Sequence, residues 1–246
     1  MQGDTSMKRH VRNTLIGTAA TVALLTAASA PALAATAHAG IAAPTPHRTL
    51  AEIQTLAKTR TDAREAALTK SIARVTAAKD ITDADRSTIL GTLNNDMAGM
   101  QTVAAKIAAD TDAVTAATDY RTIFTTYRVF AVAIPQSRFA AAADRLTSTT
   151  IPRLTDAQSK LAADLAGKDA SKSTPALQAD LTDMSAQISE ASSALDGLAA
   201  RSLAVTPAEF NGDHTVLSSE RSSLKAAIAD LKKAASDGKT VLAAIK

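Results

Sequence analysis

Apolar residues recur along most of the chain in alternating steps of three and four, separated by polar positions, which is the spacing of one buried face on an α-helix. Between Thr82 and about Ala117 the stripe runs Leu90, Leu93, Met97, Met100, Ala104, Ile107, Thr111 and Val114. Thr82-Asp83-Ala84-Asp85 is its start signal: the Thr82 hydroxyl can accept an early backbone N–H, and the two carboxylates favour the positive helix end. A helix of that length would reach about 54 Å at roughly 1.5 Å per residue. A preceding helix is predicted over 49–79, with Leu50, Ile53, Leu56, Leu68, Ile72 and Val75 as its seam, clearer in the second half.

Downstream, Asp119 is expected to cap a helix carrying Tyr120, Phe124, Tyr127, Phe130 and Ile134. Pro135 lacks an N–H and crowds the preceding turn, so a kink or a break is expected there, with Pro152 a second bend. Between the two, Phe139, Ala143 and Leu146 resume a helical face, which Leu154, Leu161 and Leu165 carry to Gly167. Ser173-Thr174-Pro175 places a hydroxyl at a cap and Pro at the first helical position. The stripe Leu177, Leu181, Met184, Ile188, Ala191, Leu195 and Leu198 follows it. Thr206-Pro207 and Asn211-Gly212-Asp213 mark a turn with one short helical turn inside. A last helix over 213–244 bears Leu217, Leu224, Ile228, Leu231, Ala235, Leu242 and Ile245, interrupted by Arg221 and Gly238. No strand pattern competes. The predicted fold is all-α, an elongated antiparallel bundle of four to six long helices with coiled-coil-like packing.

Composition fits that architecture. The 46% hydrophobic content is dominated by Ala, with six aromatic residues and no Trp. Each Ala buries little apolar surface, so such a core spreads along long helices. The chain has no Cys, which excludes disulfides and thiol chemistry.

The N-terminal region reads as an export signal. Lys8, Arg9 and Arg12 precede an uncharged stretch from Thr14 to Ala30, and Ala32-Leu33-Ala34 offers a small-x-small cleavage site. Residues 1–34 are therefore expected to be a signal peptide, 35–48 a flexible leader and 49–246 a single helical-bundle domain. Ala37-His38-Ala39 is an alternative site that would leave Gly40 first. An uncleaved anchor is the competing reading, against which the stretch is short and rich in Ala and Thr. Removing residues 1–34 takes away Asp4, Lys8, Arg9 and Arg12 and lowers the formal charge from +3 to +1. The basic balance thus gives no reason to expect nucleic acid as a partner.

Chemistry-bearing residues are sparse. Asp83/Asp85 and Asp110/Asp112 lack the Gly and distal Glu of a calcium loop and are assigned to helix ends. His214 with Ser218, Ser219 and Glu220 does not make a triad by proximity in sequence. No acid–base pair, nucleophile–base pair or phosphate-cradling loop emerges, so no enzyme, metal or cofactor is called for. The strongest anomaly is that five of the six aromatic residues fall between Tyr120 and Phe139, with Arg121, Arg128, Gln136 and Arg138 among them. Tyr120, Phe124 and Tyr127 share a helix face, whereas Phe130 is offset. One reading is a core plug. The other is a groove beside Pro135 in which Tyr120, Phe124, Tyr127, Arg128, Gln136 and Phe139 hold a ligand or partner.

Ile81-Thr82-Asp83-Ala84-Asp85-Arg86, Ile107–Asp112, Tyr127–Gln136 and Thr206–Arg221 together resemble segments of small secreted helical proteins of high-GC Gram-positive bacteria. The resemblance implies export and helical architecture and carries over no site residues. The expected function is a non-enzymatic structural or interaction protein, secreted or at the cell envelope, with an envelope protein or polymer as partner. Self-association is left open, and the alternative is a small-ligand carrier.

Overall fold

The computed structural model describes residues 48–246; the expected signal peptide, and the leader up to residue 47, lie outside them. The described residues form α-helices, π and 3-10 segments and short links, with no strand. They group into two compact units. One comprises residues 48–145 with Gly197–Ser222; the other comprises Leu146–Asp196 with Ser223–Lys246.

In the first unit, α1 (Leu50–Ala77) begins with a capping box: the Glu52 N–H donates to Thr49 Oγ1, and the Thr49 N–H to Glu52 Oε2. Helix α2 (Asp83–Ala109) starts where the sequence indicates, with the Asp85 N–H donating 3.1 Å to Thr82 Oγ1. The two long helices pack antiparallel. Gln54 near the start of α1 reaches the carbonyls of Ile107, Ala108 and Asp110 at the end of α2. At the opposite end, Arg86 donates to Val75 O at 2.6 Å, in the last turn of α1, and to Ile81 O at 3.2 Å, in the link to α2.

The buried face of α1 is Ile53, Ala57, Thr61, Arg64, Leu68, Ser71 and Val75, an unbroken run of threes and fours. The gap that apolar spacing leaves between Leu56 and Leu68 is thus filled by a hydroxyl and a guanidinium. On α2 the buried positions are Ile89, Leu93, Met100, Val103 and Ile107.

Helix α2 does not continue to Ala117. It stops at Asp110, and Asp112 caps a separate α3 (Ala113–Thr125) by accepting the N–H groups of Val114 and Thr115. Val114, assigned to the stripe by spacing, is 77% exposed. Asp119 is consequently mid-helix and buried instead of capping. The reason is local: the Asp112 side chain offers the backbone an alternative to helix continuation, and one such cap outweighs a period that Thr111 and Val114 only complete.

The expected disruption at Pro135 occurs earlier, at Arg128, which adopts a left-handed conformation with φ 48°. A π-helical segment (Val129–Ala133) then leads into α4 (Ile134–Arg145). The Ile134 N–H donates to Val129 O, one residue further back than in an α-helix. That wide turn lets Pro135 enter the first turn of α4 without clashing with an i−4 carbonyl. Helix α4 packs against α7 (Leu198–Ala204), which follows Gly197 at φ 61°. The stripe drawn through Leu195 to Leu198 is broken at that glycine. Helix α8 (Pro207–Gly212) is the short turn expected after Thr206, closed by a capping box with Glu209.

In the second unit, a π segment (Leu146–Thr150) again precedes an Ile-Pro pair, at the start of α5 (Ile151–Ala166). A 3-10 turn (Ala170–Lys172) leads to α6 (Pro175–Leu195), whose cap Thr174 accepts the Leu177 N–H. Helix α9 (Ser218–Ile245) belongs to this unit from Ser223 onward. Leu161, Leu165, Leu177, Leu181, Val241 and Ile245 form one apolar cluster. Gly238 permits close approach: a Cβ there would lie 3.2 Å from the Met184 thioether. Gln187 Nε2 donates to Asp237 Oδ2, and Lys172 Nζ to Ile245 O.

Replacing Arg86 with Ala removes the donor from the Val75 carbonyl at the end of α1 and from the Ile81 carbonyl in the link to α2. Hydrogen bonds from charged groups contribute about 1.5–3 kcal/mol each, so a stability loss of about 2 kcal/mol is expected, read from the urea midpoint.

Candidate functional site

All six sequence-selected residues fall in the first unit, and most of their surface is spent on packing. Tyr120 is buried in the core, with its ring 5.2 Å from that of Phe124 in an edge-on arrangement. Tyr127 lies against Gly99 so closely that a Cβ on that glycine would overlap its ring. Gln136 is buried and its Oε1 has no hydrogen-bond partner, while Phe139 is half-buried.

A residue outside the selected set organises them. Arg64 is 8% exposed, and its guanidinium lies 4.6 Å from the centre of the Phe124 ring and 5.0 Å from that of Phe130. Nη1 donates 3.0 Å to Arg60 O, whereas Nε has no partner. Burial, followed by the like charge of Arg60, lowers its pKa to about 10, leaving it charged at neutral pH. Two aromatic faces stand where a carboxylate usually would. Phe130, the ring offset by helical spacing, is 45% exposed. The exposed edge of this stack is therefore apolar, backed by a buried cation.

Arg128 forms a second cation–aromatic contact. Its Nε donates 2.7 Å to Asn211 Oδ1, and its guanidinium lies 5.2 Å from the Phe210 ring centre. Asn211 Nδ2 in turn donates to Thr125 O, and the His214 ring is 5.0 Å from that of Phe210. A two-way side-chain amide thus fastens α8 to the end of α3. The strained φ of Arg128 is held by this fastening and by the buried Val129 that follows. Sequence reasoning passed over Arg64, Phe210 and Asn211. The usable signal for Arg64 was its position: counting threes and fours from Ile53 lands a charged residue on the seam.

Asp96 is the acidic counterpart. It continues the α2 seam midway between Leu93 and Met100, and its Oδ2 is buried without a partner. The register set by Gln54 and Arg86 brings Arg64 and Asp96 to the same level of the α1–α2 pair, yet they form no ion pair with each other. Burial alone raises the Asp96 pKa to about 6.

Among the described residues, no group of three or more His, Cys, Asp or Glu is placed to hold a metal ion, and no helix is long and apolar enough to cross a membrane. A shallow groove of about 310 Å³ lies in the second unit between α5 and α6, where Thr155, Gln158, Ser185 and Ser189 flank Ile151 and Ile188. It contains none of the selected residues. No protein-family model matches the chain, and no curated protein or solved structure matches it.

Because the folded Asp96 carboxyl holds its proton more tightly than an unfolded one, its stabilising contribution is present below the unfolded pKa of 3.8 and is lost as pH rises through about 6. Asp96→Asn should raise stability at pH 7.5 by about 1 kcal/mol, solvent screening of the half-buried carboxyl reducing the full effect, and flatten the dependence between about pH 4 and 6, in urea titrations at several pH values.

Proposed function

We propose that this chain is a non-enzymatic interaction protein of the cell envelope or extracellular space, and that it engages an envelope protein or polymer through the Phe130 edge of the first unit. One observation carries the reading: Phe130 is a large exposed apolar side chain held in place by a stack on a buried arginine. An exposed phenyl costs solvation, and a rigid aromatic backed by guanidinium is the kind of anchor that binding surfaces use. Arg128, two residues before Phe130 in the chain and held by Asn211, adds a fixed cationic side chain. Export is supported by the three-part pattern of Lys8, Arg9, Arg12, the uncharged stretch and Ala32-Leu33-Ala34, and by the resemblance to small secreted helical proteins.

The small-ligand reading is favoured by the buried, unpartnered Gln136 Oε1, which a ligand donor would satisfy. A rise in thermal midpoint with one class of small molecule, lost in Gln136→Leu, would support it.

The leading reading is tested by capture from envelope fractions, using the chain from residue 35 onward and its Phe130→Ser variant. Phe130→Ser should reduce recovery of the captured partner roughly tenfold, the effect of about 1.4 kcal/mol at an anchor residue, with an unchanged circular-dichroism spectrum. No reproducible partner, or undiminished capture by the variant, would overturn it.

A further inference from the structure

The α2–α3 junction brings two carboxyl groups together. Asp110, the last residue before the turn, lies against Asp119 one and a half turns into α3, close enough for a hydrogen bond between the carboxyls. Asp119 is 6% exposed, and its Oδ1 accepts from Lys106 Nζ at 2.8 Å. The other oxygen, Oδ2, is buried without a partner, and so is Oδ2 of Asp110. Two ionised carboxylates in contact repel each other, and one lysine offsets a single charge. A proton held between them changes both terms: it removes one charge and turns one buried acceptor into a donor for the other. Both orphaned oxygens are accounted for by that one proton.

The surroundings leave the proton as the fitting occupant. Lys106 from α2 faces the pair, and its ammonium opposes a second cation. Asp112 adds a further negative charge but is committed to the α3 cap through Val114, Thr115 and the Thr115 hydroxyl. The side chain facing the turn from α1 is Gln54, uncharged, which ties the carbonyls of Ile107, Ala108 and Asp110 to that helix. Burial, then the Asp119 charge, raises the Asp110 carboxyl above the usual aspartate range.

At the opposite end of α2 a buried carboxylate is partnered by the backbone instead. Asp144 of α4 is buried, lies against Asp85, and accepts the Thr82 N–H at 2.9 Å. Near it, Arg145 pairs with Asp80 at 3.5 Å and Arg86 is occupied by backbone carbonyls, with Asp83 at 4.0 Å. Burial raises the Asp144 carboxyl, opposed by the Thr82 N–H and reinforced by Asp85.

We propose that the α2–α3 junction is fastened by a proton-operated clasp between Asp110 and Asp119, which closes on mild acidification and loosens as the shared proton leaves. The carboxylates that would oppose such a response, Glu52, Asp112, Glu209 and Asp213, are held below their usual range by their cap hydrogen bonds and titrate at lower pH.

The test is made on the full described chain, residues 48–246, by carbon-13 NMR titration of aspartate carboxyls between pH 4 and 8, together with amide exchange over residues 107–116 corrected for the chemical rate. The Asp110 carboxyl should titrate above the usual aspartate range, and Asp119→Asn should lower it. Exchange at the turn should slow roughly threefold to tenfold between pH 7.5 and 5.5, a unit of pKa being about tenfold in equilibrium. Asp110→Asn should keep exchange slow at both pH values. Titration of Asp110 in the usual range, or a pH response retained in full by Asp110→Asn, would overturn the proposal. The carboxyl titration uses the unaltered chain, so the proposal stays decidable if the variant fails to fold.

Discussion

Arg64 occupies a seam position of α1 at which an apolar residue would normally meet the facing helix, and the arrangement of the surrounding elements follows from accommodating it. Nothing acidic pairs with the guanidinium, so its burial depends on Phe124 from α3 and Phe130 from the π segment lying against it. For Phe130 to arrive there the chain must leave α3 and restart in a different register. The left-handed Arg128 and the wide turn that follows accomplish that change. The aromatic cluster, the interruption and the first proline are in this sense one solution to one buried charge.

The helical character of the chain was legible because it is carried by period, and period survives substitution of individual residues. Caps were legible where a hydroxyl preceded an acidic turn or a proline, as at Thr82, Thr174 and Thr206. Breaks inside a continuous stripe were not. The end of α2 depends on Asp112 competing with a spacing that Thr111 and Val114 extend, and the end of α6 on a single Gly197. At Arg128 the sequence carries no Gly or Asn to announce a positive φ; the constraint comes from Asn211, far along the chain. The grouping into two units was equally invisible, because each is assembled from segments that are distant in sequence.

The aromatic region was found for the right reason, since Ala-rich seams make any ring conspicuous, but the division of labour within it was not readable. Helical spacing placed Tyr120, Phe124 and Tyr127 together and set Phe130 aside. The three grouped rings are mostly consumed by packing, and the offset one is left exposed. Polar residues on the seam carried more information than the rings. Thr61 returns its hydroxyl to Ala57 O and Lys58 O, and Arg64 its Nη1 to Arg60 O, so each satisfies itself within its own helix while leaving a distinctive shape for the neighbours.

The π segment at Val129–Ala133 has a consequence for how this chain can vary. A π turn holds one residue more than the α turn it replaces, so it amounts to an insertion stored inside a helix. Deleting any one residue there would close the wide turn to an α turn and bring the Pro135 ring against the carbonyl four residues before it. The length of this five-residue stretch is therefore under tighter constraint than its composition, and substitutions should be accommodated where indels are not.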